Sequence, residues 1–169
     1  GIPSGKLWAT CNVGASYPEE FGDYFSFQEF KKSYLNGKPV FQEPIIYPEV
    51  DFTAKPGGWY GGWIVPDIAD YQELFYYTTF KYGSRNGVYG AYFTGKNGNS
   101  LFLPFSGTIL EDGLYNNDQY SDFLVSTIYL TSSESGEKNC YCVSFGSDAP
   151  DFSSTPKYYG HPLRMCYKP

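Results

Sequence analysis

Residues Lys6–Ala15 read KLWATCNVGA. This run places a tryptophan, a cysteine and small residues where a strand gives way to a turn. Extended over Lys6–Cys11, it sends Leu7, Ala9 and Cys11 to one face and Trp8 to the other, because side chains alternate along a strand. Cys11 then sits at the strand's end, as a nucleophile or as a packed thiol. A nucleophile needs a neighbouring base to raise its thiolate fraction. The single histidine, His161, lies in the loop before the last strand, so a Cys11–His161 dyad requires the first and last strands to pair.

Composition narrows the setting. A chain of 169 residues is about one domain long, and we read 1–169 as a single domain able to build a core without metal staples. Aromatic residues make up 21% of it, mostly Tyr and Phe, which suit half-buried surfaces and contact faces. A net charge of −6, with 12 Lys and Arg spread along the chain, lacks the cationic stripe that phosphate neutralisation needs. Nucleic acid is therefore not an expected partner. No apolar run approaches the ~20 residues of a membrane span. Gly1 is not an initiator Met, so targeting information, including a lipid anchor, is allowed for outside this segment. Cys140 and Cys142 would share one face of a strand; the four cysteines allow three complete pairings or none.

Along the chain, Ser26 to Tyr34 fits either a capped helix, with Phe27, Phe30 and Tyr34 on one side, or an alternating strand. Pro39, Pro44, Pro48 and Pro56 predict a long irregular loop from Asn36 to Gly62. In VPDIADYQELFYY, Asp67 is placed to cap a helix carrying Ile68, Tyr71, Leu74 and Phe75 at helical spacing, with Asp70 in a shortened capping box. VYGAYFTG and SLFLP, joined through Asn97-Gly98, predict a hairpin. Val125–Ser132, Asn139–Phe145 and Leu163–Tyr167 read as three later strands, with GSDAPDFSSTPKYYGH as a loop. One or two helices with several short strands read as α+β.

Five strings now stand in one order: GIPSGKLWATCNVGASYPEEFGDYF, GGWIVPDIADYQEL, GKNGNSLFLPFSG, YLTSS and YYGHPLRMC. Together they resemble the Fibrobacter succinogenes major paralogous domain, found in surface and secreted proteins of gut Bacteroidetes. The resemblance implies a C-type lectin-like fold: mixed short-strand sheets, one or two helices, long irregular loops at one end, and paired N- and C-terminal strands. Within its WGGxWRMPT pattern, Asp67 stands at the capping Thr and Ile64 at the Arg; Tyr129-Leu130-Thr131-Ser132 stands where YWSS is common. It also implies an extracellular or outer-membrane location, with the periplasm as an alternative. On this reading Cys11 belongs to a shared framework and is a packed thiol.

Chemistry is weighed on the same residues. Glu43-Pro44-Ile45 lacks the third oxygen of a calcium-lectin triplet, and Asn116, Asn117 and Asp118 read more simply as turn residues. Asp67 and Asp70 as metal ligands compete with helix capping, and Cys140 with Cys142 as a soft-metal pair competes with plain burial. No metal site and no cofactor is expected. The expected function is noncatalytic binding or adhesion, to a glycan or a protein, through the loop aromatics Tyr47, Trp59, Tyr60, Tyr158 and Tyr159. Two other readings stand beside it. One is an enzyme related to formylglycine-generating factors, using cysteine thiols; the other is a structural piece of a surface appendage.

Overall fold

The computed structural model describes residues 2–27, 34–35, 38–39, 62–110, 113–115, 127–146 and 148–167. The leading strand β1 is Leu7–Trp8, followed by β2 at Tyr24–Phe25, β3 at Tyr34–Leu35, β4 at Lys38–Pro39 and β5 at Trp63–Ile64. Helix α1 spans Ile68–Tyr77. Strands β6 (Thr78–Arg85), β7 (Val88–Gly95) and β8 (Ser100–Pro104) follow, then β9 (Thr108–Leu110) and β10 (Gly113–Tyr115). The chain continues through β11 (Thr127–Glu134), β12 (Asn139–Phe145), β13 (Asp151–Pro156), β14 (His161–Pro162) and β15 (Cys166–Tyr167).

These strands form small antiparallel sheets. Two three-stranded sheets, β6-β7-β8 and β11-β12-β13, carry most of the core, while β1-β15-β5 ties the chain ends together. Strand β1 pairs with β15 through Leu7 opposite Tyr167 and Trp8 opposite Cys166. The terminal strands therefore do meet.

The α+β, C-type lectin-like expectation is corrected. Among the described residues the chain is mostly strand, with one short helix and several separate antiparallel sheets. Tyr, Phe, Val and Thr fit a half-buried pleated surface, and abundant turn residues cut the strands short. Two segments account for much of the difference. TTFKYGSR is the eight-residue strand β6, which begins where α1 ends, and the stretch expected as a loop before His161 contains β13. The first strand is also shorter than Lys6–Cys11. Tyr34 lies in a strand, and Lys38–Pro39 pairs with it; most of the rest of the Ser26–Gly62 expectations fall outside the described residues.

Local chemistry explains the elements that do form. Asp67 Oδ1 accepts from the Asp70 N–H at 2.8 Å, and Asp70 Oδ2 accepts from the Asp67 N–H at 3.0 Å, a reciprocal capping box. At the other end the Thr78 hydroxyl donates to the Leu74 carbonyl at 2.6 Å. The β6–β7 turn has positive φ at both Asn86 (49°) and Gly87 (83°), the two-residue hairpin geometry matching strand twist. In the β7–β8 connection Gly98 takes φ 83°, and the Gly95 N–H donates to the Asn99 carbonyl at 2.9 Å.

Helix α1 buries Tyr71 and Leu74 in a core shared by the two larger sheets: Ala91, Phe93, Leu103 and Phe105 from one side, Tyr129, Val143 and Phe145 from the other. Phe93 and Phe145 meet at 6.1 Å and Phe105 and Phe145 at 6.0 Å, so much of the aromatic excess is core. A second cluster gathers Phe25, Phe27, Val65, Leu130, Cys140, Leu163 and Met165. Among the described residues no helix is long and apolar enough to cross a membrane.

Candidate functional site

Strand β1 is an edge of one sheet and β8 an edge of another. Arg164, fully buried, reaches between them. Its Nη1 donates to the Ala9 carbonyl at 2.9 Å and the Thr10 carbonyl at 3.0 Å, and its Nη2 donates to the Phe102 carbonyl at 3.0 Å. Its Nε donates to Asn12 Oδ1 at 2.9 Å, and the Asn12 amide donates in turn to the Tyr129 hydroxyl at 3.0 Å. Tyr129 completes the chain by donating to the Pro104 carbonyl at 2.9 Å. Burial pushes the guanidinium down from its ordinary value, with the neighbouring Tyr129 and Tyr71 hydroxyls acting against that. A planar fork of donors suits this task, since one side chain pairs four acceptors: two carbonyls just past β1, one on the edge of β8 and the Asn12 side chain. It also explains the shortness of β1, whose next carbonyls turn toward Arg164.

Between these two edges lies a groove of about 510 Å³. Leu7, Trp8 and Thr10 form one wall, and Asn99, Ser100, Leu101 and Phe102 form another; Tyr92, Phe93, Asn97 and Arg85 also line it. Trp8 is half-buried and backed by Tyr71 at 4.9 Å, and Tyr92 is backed by Phe102 at 4.7 Å, so both rings are held in place. Its cations are matched. Lys6 Nζ is ion-paired with the buried Asp70 carboxylate, and Arg85 Nε donates to Glu19 Oε2 at 3.1 Å. Asn86 and Arg85 together hold the Glu19 carboxyl below its usual range, with the Asn86 hydrogen bond the larger influence. Asn99 spends its N–H on Asn97 Oδ1 at 3.1 Å and its carbonyl on Gly95, which leaves its carboxamide uncommitted among the described residues. A second hollow of about 590 Å³, more apolar, shares Leu7, Trp8 and Thr10 and is also lined by Trp63, Met165 and Cys11.

Three of the five expected site residues, Tyr47, Trp59 and Tyr60, lie outside the described residues, as do Glu43–Ile45 and Asn116–Asp118. Tyr158 and Tyr159 lie between β13 and β14. Tyr158 is 58% exposed and Tyr159 part-buried, with rings edge to face at 4.8 Å. Neither lines the groove. Sequence reasoning passed over Trp8, Tyr92, Asn99 and Arg164, whose segments meet only in three dimensions.

The Cys11–His161 dyad does not form. His161 is fully buried, with Nδ1 against the Thr108 hydroxyl and Nε2 at 3.1 Å from the Thr155 hydroxyl. Burial pulls its pKa down to about 3, so it is neutral at physiological pH. Cys11 is half-buried and contacts Thr10 Oγ1 at 3.6 Å. All four cysteines are free thiols. Burial pushes Cys140 and Cys166 up to about 12 and raises Cys142 as well. Cys140 and Cys142 do share a buried face of β12, but they point to Thr155 and Ser153 respectively. Among the described residues no group of three or more His, Cys, Asp or Glu is placed to hold a metal ion. Asp67 and Asp70 are engaged in the helix cap and the Lys6 pair.

No family model, curated protein or solved structure matches this chain.

Proposed function

We propose that this protein is a noncatalytic binding domain, secreted or carried at a cell surface, that holds a glycan or protein ligand in the groove between β1 and β8. The observation that carries this reading is the groove itself. Fixed rings, an uncommitted amide and hydroxyls converge on one concave surface of small-ligand size. The resemblance to surface and secreted proteins supports the location. The thiol-enzyme reading is disfavoured by the burial of three of the four thiols and of the one imidazole. Three of the thiols are buried with raised pKa values, and the one imidazole is neutral and occupied by two threonines.

A bulky plug tests this. Ser100 is exposed and lines the groove, so Ser100→Trp fills the space with little disturbance to the core. On a microarray carrying neutral glycans, acidic glycans and extended peptides, the native chain is expected to bind a subset, and Ser100→Trp to lose tenfold or more of that signal. Tyr158→Ala is expected to keep it. Silence of the native chain on every class, or loss only with Tyr158→Ala, contradicts the groove as the site.

A further inference from the structure

We infer that the groove's ligand is a neutral oligosaccharide, which rests on the binding reading above and narrows it. Three features of the groove lead there.

The strand edges are partly closed to a peptide. An extended peptide adds to a sheet by pairing with free edge carbonyls and N–H groups. Here the Ala9, Thr10 and Phe102 carbonyls accept from Arg164, and the Pro104 carbonyl accepts from Tyr129. A ligand strand would find these acceptors already taken.

The groove is also without net positive charge. Lys6 is neutralised by Asp70 and Arg85 by Glu19, in a chain whose net charge is −6. A uronate or sulfated chain would lose hydration against two lining cations that are already paired, with Lys81 nearby over the Tyr92 ring, and the overall field repels it.

What remains matches a sugar. Pyranose rings present an apolar C–H face and a rim of hydroxyls that both donate and accept. The Trp8 ring supplies flat apolar surface, and the Tyr92 ring adds to it between Phe102 at 4.7 Å and Lys81 Nζ at 5.7 Å. The Asn99 carboxamide, which can donate and accept together, sits along the same groove with the Thr10 and Ser100 hydroxyls, which keep capacity for a further bond beside their contacts to Cys11 Sγ at 3.6 Å and Thr94 Oγ1 at 2.7 Å. About 510 Å³ gives room for a short run of sugar units.

The test is calorimetric titration of the full chain with neutral hexasaccharides of β-1,4-linked glucose, xylose and mannose, with hexagalacturonate, and with a strand-forming hexapeptide. At least one neutral hexasaccharide is expected to bind, tenfold or more tighter than hexagalacturonate. Asn99→Ala should weaken that binding at least tenfold with an unchanged Tm. Glu19→Gln, which leaves Arg85 uncompensated, should narrow the preference against hexagalacturonate by several-fold. Binding of hexagalacturonate or the peptide in place of every neutral sugar, abolished by Ser100→Trp, overturns the inference and leaves the binding reading standing. Binding of none of these probes overturns the inference; microarray silence on all classes is what overturns the broader reading.

Discussion

Arg164→Met lowers stability by about 3–5 kcal/mol, seen as a fall of roughly 2 M in the urea midpoint with little change in slope. The size follows from what is stranded. Removing the guanidinium leaves the Ala9, Thr10 and Phe102 carbonyls and Asn12 Oδ1 without their donor. The Phe102 carbonyl and Asn12 Oδ1 are the buried ones, each costing about 1–3 kcal/mol when unmet, while the part-buried Ala9 and Thr10 carbonyls cost less because water reaches them. Against that sum stands relief from burying a cation with no carboxylate among its hydrogen-bond partners, which returns part of the loss. Arg164→Lys is the informative companion. A compact ammonium cannot span two strand edges as a planar fork does, so it should recover less than half of the difference. A loss under about 1 kcal/mol in Arg164→Met would show that Arg164 does not weld the two edges.

His161→Gln flattens the acid limb of the stability curve. In the folded protein the ring titrates at about 3, against about 6.5 in an unfolded chain. Between those values the unfolded chain takes up a proton that the folded chain refuses. The contribution of neutral His161 is therefore fully present above pH 6.5 and is lost as pH falls toward 3. The slope is about 1.4 kcal/mol per pH unit, and the whole loss is roughly 4–5 kcal/mol. Glutamine can donate to one threonine and accept from the other but does not titrate. Its curve should lack this component while keeping that of the carboxylates. A direct readout exists, because the sequence contains one histidine. Its ring proton resonance should stay constant between pH 8 and 5; a midpoint near 6.5 would contradict the buried, neutral ring.

What could be read from the chain was what is decided locally. The Asp67–Asp70 cap and the Asn97-Gly98 connection depend on residues a few positions apart, and both formed where expected. Asn86-Gly87 carries the same signal and marks the β6–β7 turn, although TTFKYGSR, which pairs there with VYGAYFTG, has no place among the strands expected above. Strand β13 is also polar. It is held by pairing with β12 over six register positions, from Asn139 opposite Pro156 to Ser144 opposite Asp151. Pairing of that kind is set by a neighbour and leaves little trace in the strand's own pattern.

The site was less legible for a related reason. Trp8, Tyr92 and Asn99 come from two sheets and a turn, and nothing in their spacing announces a common surface. Arg164 was hidden by its type, since a guanidinium is expected at the surface and here has zero exposure. Aromatics in loops were the visible alternative. Of these, the described pair Tyr158 and Tyr159 lies apart from the groove.

The most direct test of the groove follows backbone amide resonances while a neutral hexasaccharide that binds is titrated in. The account predicts shifts concentrated at Leu7–Thr10 and Asn97–Phe102, with Tyr158 and Tyr159 unmoved. Shifts confined to Tyr158 and Tyr159, with the groove residues silent, would contradict it.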